Sequence, residues 1–186
     1  MDFGQDYPSD EEYDDFDNYN DEWIMKVIFL DIDGVLNSEK FWTEISQPQR
    51  WLKAEKEGRN RDEQSALANI DRNAVDLLNR IVKETDAEIV ISSTWKNDIN
   101  LPYKLRYMGL IKPYYGITPY SNTRHRGTDI KLWLDLYKED NTEIKYVILD
   151  DDMDILEEQM RFFIHTDFRV GLTEQDVKKA IEILNK

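Results

Sequence analysis

Residues 25–37 read MKVIFLDIDGVLN, a short apolar run that ends on two aspartates one residue apart and then a glycine. A run of this length, bounded by turn residues, predicts a buried central strand. Asp31 and Asp33 then fall at its carboxyl end, where open α/β sheets bind ligands. Two carboxylates so close repel each other, and a cation or a shared proton relieves that repulsion. The pair points to an enzyme.

The bulk composition narrows the setting. A chain of 186 residues has room for one domain with a small insertion, and its 40% apolar content fills a single core. Cysteine is absent, which excludes disulfides and thiol chemistry. His125 and His165 alone leave too few soft ligands for an ordinary structural zinc site. No apolar stretch approaches the roughly 20 residues of a membrane helix, and the N-terminus is acidic rather than basic and then apolar. The expectation is a soluble cytoplasmic protein with no membrane partner.

The net charge of −15 is unevenly spread. Residues 1–22 hold ten acids and no base, so the rest of the chain carries 24 bases against 29 acids. The segment self-repels and has neither a helical nor an alternating period, so it is expected to be a disordered acidic tail. Phe3, Tyr7, Tyr13, Phe16 and Tyr19 punctuate its acids. Two readings stay open: a solvated tail, or a polyanion mimic that engages a basic protein partner or the basic stretches 40–61 and 122–131.

Strands alternate with helices along the remaining domain, 23–186. Residues 38–69 mix aromatics with charges and predict one or two short helices in a small, cap-like insertion. Ile70, Ala74, Val75, Leu77, Leu78, Ile81 and Val82 follow a 3.6 period, with Asp71 as N-cap. A second buried strand is expected at 87–92, a short helix near 103–108 and an edge strand near 115–117. A helix opens at Arg126. A third apolar run, 145–150, ends in acid and leads to a predicted helix over 153–161 and a strand near 162–166. Thr173 and Asp176 form a capping box before the last helix. The pattern implies a mainly parallel sheet covered on both faces, a Rossmann-like three-layer α/β/α sandwich.

Three predicted strands thus end in polar groups: Asp31 and Asp33; Ser92, Ser93 and Thr94; and Asp150, Asp151 and Asp152. Parallel neighbours bring all three sets to one edge of the sheet. Arg126, with Lys131 about a turn later, adds a cation at a helix start. Carboxylates, hydroxyls and a cation at one place suit a hard metal and a phosphoryl group, and oxygen ligands favour Mg²⁺ over zinc or copper.

LDIDGVLN, ISSTW, a basic residue leading a helix, and VILDDDMD stand in the order of the four motifs of the haloacid dehalogenase (HAD) superfamily. Over about residues 25–186 the chain resembles the HAD domain of Swiss Army Knife RNA repair proteins, with DIDGVLNS, VISSTWK, RGTDIKLWL, YVILDDD and GLTEQDVKKAIEIL carrying the likeness. The resemblance implies a HAD-like core with a small or absent cap, Mg²⁺, and phosphoryl transfer through an aspartyl-phosphate. It makes Asp31 the nucleophile and Asp33 the general acid and base. Asp31, the backbone carbonyl of Asp33, and Asp151 become the metal ligands, with Asp150 or Asp154 in support. Ser92 or Ser93 supplies the phosphate-binding hydroxyl, and Arg126 or Lys131 the cation. Gly34 and Asn37 fit the turn after the nucleophile.

The expected activity is phosphomonoester hydrolysis on a phosphorylated small molecule or a nucleic-acid end. A net acidic core argues against binding a long polynucleotide. A local patch from Lys40, Arg50, Lys53, Lys56, Arg59, Arg61, Arg124 and Arg126 suffices for a terminal phosphate. The competing expectation is a vestigial site in a regulatory protein whose acidic tail engages a basic partner.

Overall fold

A computed structural model describes residues 23–138 and 142–186. The expected acidic tail, 1–22, lies outside the described residues. Five parallel strands form one sheet in the order β3-β2-β1-β4-β5: β1 (Trp23–Leu30), β2 (Glu88–Ile91), β3 (Gly116–Ile117), β4 (Thr142–Asp150) and β5 (Phe163–His165). The helices are α1 (Glu39–Glu44), α2 (Gln47–Lys56), α3 (Arg61–Asn69), α4 (Arg72–Thr85), α5 (Leu101–Tyr107), α6 (Arg126–Tyr137) and α7 (Glu174–Asn185). None of them is long and apolar enough to cross a membrane, among the described residues.

The central strands read as unbroken apolar runs because both of their faces are buried. Along β1, Ile28 and Leu30 enter one core with α4, α5 and α7, while Val27 and Phe29 enter another with Ile130 and Trp133 of α6. β2 and β4 split the same way: Ile89, Ile91, Val147 and Leu149 face the first core, Val90 and Ile148 the second. Helices on both faces make the three layers expected. The edge of Phe29 meets Trp133 at 5.3 Å between ring centres, locking α6 onto the middle of the sheet.

Caps set the helix starts. The Asp71 side chain accepts from the Asn73 N–H at the start of α4, and Thr173 and Asp176 close the capping box on α7. Residues 38–69 hold three helices where the sequence predicts one or two. Asn60 and Glu63 form a capping box that starts α3 as a separate element.

A second difference lies after β4. Residues 153–161, predicted as a helix, form a loop and then a 3₁₀ turn over Glu157–Phe162. Bonds to the start of α6 take the place of helical ones. Asp154 O accepts from the Gly127 N–H at 2.9 Å, and Asp154 Oδ2 from the Arg126 N–H at 3.0 Å. The Gln159 amide donates to Gly127 O at 2.8 Å and accepts from the Leu156 N–H. Gly127 leaves no room for a side chain here: a Cβ on it would sit 2.5 Å from the Leu156 nitrogen.

Gly127→Ala is therefore expected to lower stability by about 1–3 kcal/mol through overpacking. Urea denaturation checks this, and an unchanged midpoint counts against the close packing of α6 on 154–159.

Candidate active site

Sheet register brings the site together. β1 pairs with β4 so that Leu30 lies opposite Leu149, and with β2 so that Leu30 lies opposite Ile91. The ladder continues one residue past each strand: the Asp31 N–H donates to Leu149 O, Ser92 N–H to Leu30 O, and Thr166 N–H to Asp150 O. Asp31, Asp150 and Ser92 thus emerge side by side, between the half of the sheet that runs to β3 and the half that runs to β5. Chain order reverses direction there, and open α/β sheets bind ligands at such a point.

Carboxylate oxygens of Asp31, Asp150 and Asp151 lie within 4.8 Å of one another. Asp31 and Asp150 are buried, with Asp150 wholly so. Between them sits Arg126, its Nη1 2.5 Å from Asp31 Oδ1 and 2.6 Å from Asp150 Oδ2. The first contact is a hydrogen bond; the second is close but poorly aligned, so the buried Asp150 Oδ2 has no hydrogen-bond donor. Asp150 Oδ1 accepts from the Asp152 N–H.

One guanidinium does not offset three acids. Burial pushes the Asp31 carboxyl up despite the pull of Arg126, and pushes Asp150 up to about 7 against the same pull. Asp151 is raised by burial and by the charge of Asp31. For Arg126 burial opposes the charge, but Asp31 and Asp150 outweigh it and raise its pKa. A donor-poor carboxylate oxygen in an all-oxygen cluster fits a hard divalent cation. Asp150 therefore stands in the cluster itself, beside Asp31 and Asp151.

Gly34 makes room for this cluster. Its φ of +68° is one that side chains rarely adopt, and a Cβ there would fall 2.3 Å from Asp151 Cγ. The Gly34 carbonyl accepts from the Thr166 hydroxyl, and its N–H donates to Asn37 Oδ1.

Asp33 is not part of this group of three, though its charge reaches Asp31. Its Oδ1 accepts from the Asn37 amide at 2.9 Å and its Oδ2 from the Trp95 indole N–H at 3.0 Å. Both oxygens are fixed, and the indole does so from the turn that begins at Ser92.

The two serines divide. Ser93 caps the 3₁₀ turn Thr94–Asn97 by accepting from the Trp95 N–H, and its hydroxyl is near enough to Asp31 to pull that carboxyl's pKa down against burial. The buried Ser92 hydroxyl has no partner among the described residues and lines a cavity of about 530 Å³. Arg126 lines the same cavity, as does Asp154, which accepts from the Arg126 N–H and pairs with His125 at 2.8 Å. Lys131 is not brought there. Five residues after Arg126, it points about 140° away around the helix and pairs with Asp135 on the exposed side of α6. Two members of the wider basic patch have partners of their own: Arg50 donates to the Phe41 and Ile45 carbonyls, and Arg59 pairs with Glu57.

Sequence reasoning passed over Lys96. Its side chain is 2% exposed and reaches Asp129 Oδ2 at 3.2 Å, the Thr118 carbonyl and hydroxyl at 3.1 Å, and the Pro119 carbonyl. Asp129 also accepts from the Ser121 N–H at 2.7 Å; these bonds outweigh its burial and hold its pKa below the usual carboxylate range. The available signal was a lysine directly after ISSTW, inside a motif.

The family model describing the HAD domain in Swiss Army Knife RNA repair proteins matches residues 27–177, more than half of the chain. No curated protein and no solved structure matches it.

The raised carboxyls give the metal-free protein a defined pH response. Their folded pKa values exceed the unfolded value near 3.8, so the native state binds more protons and stability falls as pH rises from about 4 through about 7. In EDTA, Tm is expected to be lower at pH 7.5 than at pH 5, with a smaller fall in Asp150→Asn. Mg²⁺ binds the ionised carboxylates and is expected to raise Tm more at pH 7.5 than at pH 5. Equal Mg²⁺ shifts at both pH values, read by calorimetry, count against a cation site among these three acids.

Proposed function

The chain belongs to the family of HAD domains in Swiss Army Knife RNA repair proteins, and we propose that this HAD-type hydrolase is a Mg²⁺-dependent phosphomonoesterase acting through an aspartyl-phosphate. The observation that carries the reading is the position of Asp31: clustered with Asp150 and Asp151, paired to Arg126, and beside the cavity that Ser92 and Arg126 line. Asp31, Asp151 and the Asp33 carbonyl, with Asp150 beside them, would hold Mg²⁺, whose charge would offset the acids' repulsion of a phosphate dianion.

The protein's own groups account for the remaining chemistry. Asp31 Oδ attacks phosphorus as the bond to the leaving oxygen breaks, leaving an acyl phosphate on Asp31. The unpartnered Ser92 hydroxyl is the donor for a phosphoryl oxygen, which favours it over Ser93. Arg126 adds positive charge where negative charge gathers in the transition state. Asp33 gives its proton to the departing alkoxide, then takes one from the water that attacks the acyl phosphate. Inorganic phosphate leaves and both aspartates return to their starting forms. Trp95 and Asn37 hold Asp33 in place through these two transfers. The substrate is a phosphorylated small molecule, a nucleotide or a nucleic-acid phosphate end. The acidic segment 1–22 engages a basic protein partner.

Phosphate release from p-nitrophenyl phosphate with Mg²⁺ tests the reading directly. Asp31→Asn is expected to lower kcat by at least roughly 10³-fold, as loss of a covalent nucleophile does. Release that survives this change overturns the assignment.

Trp95→Phe removes the indole donor and keeps most of the ring. It is expected to lower kcat about tenfold, a fraction of what a general acid contributes, with little change in KM. The loss should be larger for an alkyl phosphate, whose leaving group needs the proton, than for p-nitrophenyl phosphate. Equal losses on both substrates argue for a purely structural Trp95.

A further inference from the structure

Tyr120 is 58% exposed and lines the cavity beside Ser92 and Arg126, yet its ring is held at two points. Its hydroxyl donates to Asn97 Oδ1 at 2.7 Å. The Lys96 ammonium lies 3.8 Å from the ring centre, covering one face. That ammonium is anchored in turn by Thr118, Pro119 and Asp129, and Asp129 also binds the Ser121 N–H. The residues on either side of Tyr120 are therefore tied to the same buried pair. Among the described residues no other aromatic ring stacks on it.

An exposed tyrosine that only decorates a surface is free to turn. This one is fixed, partly bare, and set on the wall of a cavity next to the position a phosphate takes. About 530 Å³ is room for a nucleoside rather than for a phosphate alone. Arg124 stands on the same wall with a left-handed backbone, φ +54°, and no carboxylate partner among the described residues. A second cation beyond Arg126 favours a ligand with anionic character past its reacting group.

We propose that Tyr120 is a stacking platform for the nucleobase of the substrate, with the Lys96–Asp129 pair as its rigid mount. This rests on the phosphomonoesterase reading and names the leaving group that the cavity selects. Stacking on an aromatic side chain tolerates any base, because every base offers a π-face. The subsite therefore selects for a planar ring and not for a particular base.

The test compares two secondary alkyl phosphates, adenosine 3′-monophosphate and glycerol 2-phosphate, with the full chain and Mg²⁺. The readout is the ratio of their kcat/KM values. Tyr120→Ala is expected to lower the ratio roughly tenfold, in the range measured for removing a stacked base, and Tyr120→Phe to retain most of it. A ratio that stays within about twofold in Tyr120→Ala overturns the platform. A 3′-phosphorylated trinucleotide run beside the mononucleotide separates a strand end from a free nucleotide, and the same drop is expected with either source.

A binding measurement keeps the platform separable from the reaction. Asp31→Asn is titrated calorimetrically with adenosine 3′-monophosphate, with and without Tyr120→Ala. Roughly tenfold weaker binding in the double variant supports the platform even if no phosphate is released by the unmodified protein. Equal affinity in the two proteins, or no nucleotide binding in either, overturns it.

Discussion

Arg126 answers two buried carboxylates with one guanidinium, and much of the local structure exists to keep it there. It opens α6 with its N–H on Asp154. The next residue is a glycine whose backbone is clamped between the Asp154 carbonyl and the Gln159 amide. Trp133, two turns further, packs that helix on Phe29 near the carboxyl end of the central strand β1. The same loop that gave up its predicted helix is thus the brace for the cation. Without that cation, Asp31 and Asp150 would face each other across adjacent strands with nothing to separate their charges. The unfavourable part of the balance is not removed, only lowered, and the raised carboxyl pKa values record what remains.

Asp33 has its own hydrogen-bond partners although only one residue parts it from Asp31 and the charges of the two still repel. The chain turns at Gly34, so the two side chains point to different partners: Arg126 for Asp31, Asn37 and Trp95 for Asp33. In the proposed reaction one acid must give electrons to phosphorus while the other trades a proton. Different surroundings are what allow two identical side chains to take those roles.

The strands and their polar ends were legible because a doubly covered parallel sheet leaves little freedom. Its strands read as apolar runs, and the polar residues just past Leu30, Ile91 and Leu149 come out at the ligand edge. Caps made α4 and α7 equally readable. Residues 153–161 were not, since their fate depends on bonds to α6, which begins 27 residues earlier. The choice between Arg126 and Lys131 lay in helical geometry: five residues turn a side chain away from the sheet. Lys96 stands directly after ISSTW, yet nothing local tells what it does, and Tyr120 lies in no motif. Their meeting with Asp129 joins three stretches of chain, and only the folded sheet brings them within reach. The DDD run places three acids at the ligand edge, and only the folded sheet shows that Asp150 and Asp151 are the two grouped with Asp31.

Residues 92–97 carry an unusual concentration of duties. Ser92 faces the cavity, Ser93 touches Asp31, Trp95 grips Asp33, and Lys96 fastens the wall that bears Tyr120. These are successive positions on one short, tightly bonded turn, so none of them moves alone. In the proposed reaction, the contact with phosphate, the aim of the acid and the cavity wall are thus carried by one short piece of backbone.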